Sequence, residues 1–550
     1  MGLRRYSHNS HPKPKARPSK RSRAGKANSQ KRWEEKKTAE ASTQTQDPAP
    51  PQTAPAPTPT SASAKKIARF LKVSSNNEKL AFNYLIIHRD TLVKLTQSVL
   101  CDICNLQKIV VRYEESHRFC KKILLVCENF YETNSEVYSS PRVSAMDSSR
   151  PPFEINRVLV EAFLSIGSGY AAMERFCMEV GLEIMAPKSW ENHLQGLLSK
   201  SADFKKEVLD RSRQAVREAH MEEDPTIQND DVLDICISID GSWQMRGHAS
   251  SNGLVAAVDV LTGLVLDFEI MSKYCHMCQM QSSNLGEDSP EFSDWQNNHI
   301  DTGECQKNFE GSSGSMEMTG AERLFKRSIE ECNMRYVTML SDGDAKTFQH
   351  LQSLNVYLGI QLEKEECVNH VAKRMGTGLR EKVKQCKAQK ITLGGRGEGA
   401  LTDNKIDKLT SYYRKAIINN IPNVKAMQNA VFATLEHCSS TDQKPKHSKC
   451  PKGEDSWCFY NKAKAKKEHP KSHTEMSLRL NDTVYKQIKP VYQRLATKEL
   501  MERCLSGGTQ NNNECLHSVI WTKQPKGRLV SRSRLEWSVT LAVSEFNMGV

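Results

Sequence analysis

No stretch of this chain approaches the eighteen or so consecutive apolar residues that a membrane-spanning helix needs, so an integral membrane protein is not expected. The amino-terminus is rich in arginine but has no apolar core behind it, which argues against a secretory signal. Its opening MGLRRY lacks the Ser or Thr at position 6 that N-myristoylation requires. No internal repeat at a fixed period is present. Acidic residues are scarce at this end: residues 1–40 carry 13 Lys and Arg against three Glu. Ten of the 13 net positive charges therefore lie in a tail, and the rest of the 550 residues is close to balanced. "HPKPKARPSKRSRAGK" suits a nuclear import signal or a contact with a phosphate backbone; a disordered, solubilising terminus explains it as well. An intracellular, reducing setting is expected, where seventeen cysteines are read as free thiols or metal ligands rather than disulfides.

From 41 to 64 the sequence is Pro, Thr, Ala and Ser with almost no large apolar residue, so 1–64 reads as a disordered basic tail and linker. Residues 65–150 mix short apolar runs with Cys101, Cys104, His117, Cys120 and Cys127, the make-up of a small, degenerate zinc-ribbon-like module. Residues 151–225 show apolar positions at helical spacing broken by Gly pairs, with Pro187 opening a further helix. This fits a helix-turn-helix-like DNA-binding module and any small helical bundle equally.

The period then changes. "LDICISID", "GLVAAVDVL" and "GLVLDFEIM" are three strand-like runs separated by turn residues, and the first is an apolar run of the kind a strand buried on both faces shows. "MEMTGAERLFKRSIEE" reads as a helix, "RYVTMLSDGD" as a strand, "AKTFQHLQSL" as a helix and "VYLGIQLE" as a fifth strand. Three meandering strands followed by helix, strand, helix, strand is the order of a ribonuclease H-like α/β domain with a mixed five-stranded sheet, expected over 226–550. In that topology the first and fourth strands are neighbours, and Asp240 and Asp342 stand at their carboxyl ends. Two carboxylates held together repel unless cations lie between them, and hard oxygen ligands select Mg²⁺ or Mn²⁺. An aspartate capping the next turn explains either residue alone. Asp344 is a rival to Asp342, but falls in the expected turn. Glu514, in "GGTQNNNECLHSVIW", is the candidate third carboxylate from a later helix.

"SIDGSWQMRGHASSNGLVAAVDVLTGLVLDFEIMSKYCHMC", "GSSGSMEMTGAERLFKRS", "LSDGDAKTFQHL", "KEECVNHVAKRMGTGLR" and "NNNECLHSVIW" together resemble the Mutator-like transposase domain of animal DNA transposons, over roughly residues 80–550. The resemblance implies a ribonuclease H-like fold and cut-and-paste chemistry by two aspartates and a glutamate, which fall on Asp240, Asp342 and Glu514. It also implies a Cys-x2-His signature after the second aspartate, at Cys367 and His370. Cys515 departs from the small hydroxyl residue that usually follows the glutamate. The sequence ends at Val550, close behind this helix, as a truncated copy would. The implied activity is metal-dependent cleavage at transposon ends and strand transfer to target DNA, in the nucleus, by a homo-oligomer. A catalytically inactive or domesticated DNA-binding descendant, and a nuclease without strand transfer, are the alternatives.

Cys275, Cys278, His299 and Cys305 form a C-x2-C, x20, H-x5-C arrangement that suits tetrahedral structural Zn²⁺ in an insert at 273–310. His437, His447, Cys450 and Cys458 form a second set within a helical insertion at 395–500, with Cys438 as a rival to His437. Cys101, Cys104, Cys120 and Cys127 form a third, with His117 competing; the family tends to a second Cys-x2-Cys here, where this chain has "CENF". Cys367 and His370 complete a zinc site with other residues, orient the catalytic helix, or are a buried Cys and a capping His. The run 371–390 carries seven Lys and Arg against one Glu, read as a DNA contact beside the aspartates or as a solvated helix face. Trp243 is a base-stacking candidate or a core residue.

Overall fold

The computed structural model describes residues 84–143, 151–245, 250–343, 345–476 and 478–548; the tail, the linker, the import signal and Asp344 lie outside the described residues. A short helix, α1 (Arg89–Thr96), precedes a three-stranded antiparallel sheet of β1 (Ile109–His117), β2 (Cys120–Cys127) and β3 (Thr133–Tyr138). Four helices follow: α2 (Glu154–Ser165), α3 (Tyr170–Val180), α4 (Pro187–Leu198) and α5 (Ser201–Glu223). Gly181, at φ 76°, ends α3 in the left-handed conformation, and Pro187 starts α4 where its missing N–H leaves no bond unmade. Val160, Leu164, Met173 and Trp190 pack with Trp537 from far along the chain. The helical segment thus shares its core with the carboxyl-terminal end.

The larger sheet has five strands, β4 (Leu233–Trp243), β5 (Asn252–Asp259), β6 (Val265–Ser272), β7 (Met334–Ser341) and β8 (Glu363–Glu366), in the order β6-β5-β4-β7-β8. β4, β5 and β6 form an antiparallel meander, whereas β7 and β8 run parallel to β4, so the sheet is mixed. The insert between β6 and β7 contributes α6 (His276–Leu285), α7 (Pro290–Asp301) and α8 (Met316–Cys332); α9 (Ala345–Leu354) links β7 to β8.

From Ile237 to Ile239 β4 is buried on both faces, as its apolar run predicts, while its first residues alternate between buried and exposed. Leu233, Ile235, Ile237 and Ile239 all enter one core with Ala321, Leu324 and Phe325 of α8. The intervening residues Ser238 and Asp240 therefore share the opposite face, as the two-residue period of a strand requires. On that opposite face Leu254, Ala256 and Phe268 pack with Val208 and Leu209 of α5 and with Leu535 and Val539. Gly320 lets α8 lie against β5: a Cβ there would stand 2.6 Å from the Val255 side chain.

The fifth strand is not "VYLGIQLE" but Glu363–Glu366, which begins where that run ends. Positive φ at Asn355 and Gly359 breaks the expected strand into a turn, while Tyr357 and Leu362 still bury their side chains. β8 lies at the sheet edge, where a polar "EKEE" needs to pair on one side only.

After β8 come α10 (Val368–Ala388), α11 (Asp403–Ile418), α12 (Val424–Cys438), α13 (Phe459–Ala465), α14 (Asp482–Leu495), α15 (Lys498–Glu502), α16 (Asn511–Lys523) and α17 (Arg532–Met548). Met375, Leu379, Tyr413, Val431 and Tyr492 unite α10, α11, α12 and α14 in one core. Each such fully buried large side chain contributes about 1.5–3 kcal/mol relative to exposure. Among the described residues, no helix is long and apolar enough to cross a membrane.

Candidate active site and metal clusters

The parallel pairing of β4 with β7 aligns Ser238 with Leu340. Two residues further along stand Asp240 and Asp342. Asp342 lies just past the end of β7, as expected, whereas Asp240 is three residues inside the end of β4, which continues to Trp243 in its pairing with β5. Adjacent strands rather than two strand ends therefore bring the aspartates near each other. α16 crosses the same face. Asn513 accepts a hydrogen bond from Ser238 Oγ at 2.6 Å, and Gln510 Nε2 donates to the Ile239 carbonyl at 2.8 Å. These bonds fix the first turn of α16 over β4 and carry Glu514 toward the two aspartates. Gly508 lies so close to Leu340 that a Cβ would stand 2.9 Å from its side chain, which sets how near the segment entering α16 comes.

Two histidines are interleaved with the carboxylates. His370, in the first turn of α10, has Nδ1 3.6 Å from Asp342 Oδ2 and Nε2 3.4 Å from Glu514 Oε1. His517, one turn after Glu514, has Nδ1 3.6 Å from Asp240 Oδ2. Lys373 Nζ lies 3.0 Å from Glu514 Oε1. Asp240 is 27% exposed, and Asp342 and Glu514 are each half exposed, so the group opens to solvent on one side. Burial, and then the neighbouring Asp342 carboxylate, push the Asp240 carboxyl up to about 6. The hydrogen bond from Lys373 holds Glu514 below its ordinary value. Contact with Asp342 raises His370, whereas burial takes His517 down to about 4 and keeps it neutral. His517 Nε2 is buried without a hydrogen-bond partner. Three carboxylates and two imidazoles thus converge beside the inner strands β4 and β7.

His517 is not among the site residues expected from sequence, and Lys373 enters there only as part of the basic run 371–390. The i, i+3 spacing of Glu514 and His517 was the available signal, since it places both on one helix face. Among the described residues, Cys367 and His370 belong to none of the Cys/His clusters. The buried sulfur of Cys367 accepts from the Gln510 amide at 3.3 Å and its own amide donates to the Ser341 carbonyl, so it ties α10 to α16 and β7. Trp243 is a packing residue: its Nε1 donates to the Ser313 carbonyl at 2.9 Å and its ring lies against Met271, Phe309 and Met316. Of the basic run on α10, Arg374 pairs with Glu366, and Arg380 pairs with Asp403 and Asp407; Lys384, Lys387 and Lys390 are exposed.

Apart from the carboxylates, three Cys/His clusters have ligand atoms that all lie within 4.8 Å of one another: Cys275, Cys278, His299 and Cys305; His437, His447, Cys450 and Cys458; and Cys101, Cys104 and Cys127. A tetrahedral Zn²⁺ with ~2.3 Å bonds to sulfur and ~2.0 Å bonds to nitrogen sets sulfur–sulfur edges of about 3.8 Å and sulfur–nitrogen edges of about 3.5 Å. Cys278 Sγ and Cys305 Sγ are 3.7 Å apart, and Cys275 Sγ is 3.4 Å from His299 Nε2. In the second cluster Cys458 Sγ and Cys450 Sγ lie 3.4 and 3.7 Å from His447 Nδ1. These separations fit a shared ion and are far too long for a disulfide, whose sulfurs stand about 2.05 Å apart.

Each cluster favours one thiolate. The Cys104 amide lowers Cys101 to about 7; burial opposes ionisation of Cys275, but the Cys278 and Gln306 amides outweigh it; Cys450, and more weakly His437 and His447, lower Cys458. Supporting groups surround the ligands. His299 Nδ1 is 3.6 Å from Glu304, and His447 Nε2 meets Ser440 Oγ at 3.0 Å and His473 Nε2 at 2.8 Å. His473 in turn pairs through Nδ1 with Asp442 at 2.5 Å. This His447–His473–Asp442 chain fixes the orientation of a ligand imidazole, a role that sequence spacing did not reveal.

Between the alternatives at the second cluster the geometry favours His437, and one expected ligand of the third, Cys120, falls outside it. Cys438 is buried in the helical core, where burial takes its thiol up to about 12, and His437 occupies the cluster instead. Cys120 is not with Cys101, Cys104 and Cys127: it begins β2 and Cys127 ends it, which separates the two by the length of an eight-residue strand. Its sulfur faces the Ser140 carbonyl, and His117 packs against Tyr138 and Phe153.

Residues 83–458 match a family of transposases. That family is the Mutator-like transposases, and the chain belongs to it. The match includes Asp240, Asp342 and both four-residue Cys/His clusters, and ends before Glu514. No curated protein matches the chain. Family membership implies DNA binding and transposition activity in general.

Proposed function

We propose that this chain is a DNA transposase of the DDE type, with a ribonuclease H-like catalytic domain, that cleaves transposon ends and joins them to target DNA. The observation that carries this reading is the meeting of Asp240, Asp342 and Glu514 from two adjacent strands and one crossing helix. The strand order β6-β5-β4-β7-β8, with an antiparallel meander followed by parallel strands, supports the fold assignment.

The donor set fits hard divalent cations. Asp240 is raised partly by Asp342 and Glu514, so the carboxylates repel one another, and a cation relieves that repulsion. Asp240, Asp342 and Glu514 would hold Mg²⁺ or Mn²⁺, which when bound activate an attacking oxygen and stabilise the leaving oxygen at a phosphodiester. The chain's own residues orient this centre. Gln510 and Asn513 hold α16 in register with β4, Lys373 steadies Glu514, and His370 spans Asp342 and Glu514. Exposed lysines along α10 attract the DNA backbone, and the freed 3′-hydroxyl attacks target DNA at the same centre.

The two complete Cys/His clusters hold structural Zn²⁺ and order inserts that have little apolar core of their own. The Cys101, Cys104 and Cys127 cluster offers three ligands toward a further zinc. Action on terminal repeats in the nucleus, by a homo-oligomer holding two ends together, completes the proposal.

The test is Mg²⁺-dependent cleavage of DNA carrying the terminal repeats that flank the gene, by wild type and by Asp342→Ala. Cutting by wild type that disappears in the variant while binding persists is the expected result. Undiminished cutting by both Asp342→Ala and Asp240→Ala overturns the site. Specific binding without cutting by wild type assigns a non-catalytic DNA-binding descendant instead.

A further inference from the structure

A second cavity lies away from the carboxylates, in the helical insertion. It encloses about 880 Å³ between α11, α12 and the loop that carries the His437, His447, Cys450 and Cys458 cluster. This is within the ~300–1,000 Å³ range of pockets that enclose small organic ligands. Its walls include Tyr412 and Lys415 from α11, Asn419 capping its end, Asn429 from α12, and Lys449 and Trp457 from the cluster loop.

The chemistry of this lining is specific. Trp457 is 55% exposed, which is unusual for so large an apolar ring, and Tyr412 is 37% exposed. Trp457 is steadied by an edge-on contact with the ligand imidazole of His437, at 5.0 Å between ring centroids and 69° between planes. The exposed amides of Asn419 and Asn429 can each donate and accept hydrogen bonds, which suits the mixed edge of a nucleobase. Lys449 pairs with Glu436 at 2.7 Å and lies over the Phe432 ring, which fixes it at the wall.

Charge around the cavity selects among occupants. Residues 441–471 carry nine lysines against four acidic residues, and Lys462 and Lys464 of α13 are exposed beside the cluster loop. A cavity walled by aromatics and amides within a cationic surface matches a base whose neighbouring phosphates lie outside. An apolar peptide segment would leave the amides unpaired and gain nothing from the lysines.

We propose that this cavity binds an unpaired base of DNA, stacked on Trp457, with the adjoining phosphates on the lysine-rich cluster loop. The proposal rests on the reading of the chain as a DNA-processing enzyme, and adds a second DNA-binding site of defined chemistry. It also gives the cluster a purpose beyond holding its loop together, because ligation of His437 positions the ring that steadies Trp457.

The test uses the full-length, zinc-loaded protein without Mg²⁺ or Mn²⁺, so that binding is read apart from cleavage. Two probes are compared by fluorescence anisotropy: a fully paired duplex, and the same duplex with a short single-stranded gap containing 2-aminopurine. Wild type is expected to prefer the gapped probe and to quench 2-aminopurine. Trp457→Ala lowers affinity for the gapped probe about tenfold, the size of one lost base–aromatic stack, and leaves the paired duplex and the zinc content unchanged. Trp457→Phe restores stacking, and Asn429→Ala gives a smaller loss confined to the gapped probe. Equal affinity of wild type and Trp457→Ala for gapped DNA, or equal losses on both probes, overturns the proposal; so does unquenched 2-aminopurine with wild type, which would leave the cavity to a protein segment or a second copy. A gap preference that persists when the cleavage test fails keeps the base pocket and removes the catalytic assignment, and an absent gap preference removes the pocket whatever the cleavage result.

Discussion

Replacing Asp240 with asparagine should abolish cleavage and at the same time make the cation-free protein more stable. The reasoning starts from the carboxyl group, which burial and then Asp342 carry from an ordinary 3.8 up to about 6. Because the folded value is raised, the ionised form is disfavoured by folding. Below pH ~4 the group is protonated in both states and costs nothing; stability falls as pH rises from about 4 to about 6; above that the full cost persists. A displacement from 3.8 to about 6 corresponds to roughly 3 kcal/mol, an upper figure because the side chain is 27% exposed and solvent screens part of it. Asparagine keeps the shape and removes the charge, so Asp240→Asn should gain about 1–3 kcal/mol near neutral pH and nothing near pH 4. Urea denaturation followed by tryptophan fluorescence, with zinc retained and no other divalent cation, measures this directly. Adding Mn²⁺ should raise the wild-type midpoint and narrow the gap, since a ligand that binds only the folded state stabilises it. An Asp240→Asn protein less stable than wild type near neutral pH would refute the picture of a repulsive carboxylate cluster.

Three other substitutions probe the framework. His473→Ala removes the group that orients His447, and should weaken zinc at that cluster about 10–100-fold in a chelator competition; an unchanged affinity would show that His447 needs no such support. Gly320→Ala places a methyl group 2.6 Å from Val255 in the middle of β5, and should lower stability by about 1–3 kcal/mol, visible as a lower melting temperature. Arg327 forms hydrogen bonds with Asp267 at 2.7 and 3.0 Å and with Glu269 at 2.6 Å. Arg327→Ala leaves the fully buried Asp267 uncompensated, at a cost of about 3–5 kcal/mol, and soluble yield should fall sharply; near-normal yield would mean that Asp267 takes up a proton instead.

The sheet was legible where local pattern and tertiary context agree. β4 to β7 announce themselves by β-branched runs between turn residues, and the period of two in "LDICISID" puts Asp240 on the face away from the isoleucines once α8 is known to cover them. β8 was misplaced because an edge strand needs little apolar character, while the apolar "VYLGIQL" beside it serves the core from a turn. Short loops made the groupings of Cys275 with Cys278 and of Cys450 with Cys458 readable, since few residues leave few geometries. Cys120 was assigned with Cys127 on spacing alone, yet both belong to one extended strand, which holds its two ends apart. Contacts made across sequence separations, such as that of His473 with His447, leave no local trace, whereas His517 left only its i, i+3 spacing from Glu514.

The three carboxylates enter the chain far apart, on β4, just after β7 and on α16, and the last depends on Gln510 and Asn513 gripping a strand made much earlier. On the proposed assignment, the carboxylate centre stays incomplete during synthesis until the helices after β8 have been translated and α16 has emerged and docked. A copy ending before α16 keeps Asp240, Asp342 and the Cys/His clusters but lacks Glu514, and the proposal predicts that it binds DNA without cutting it.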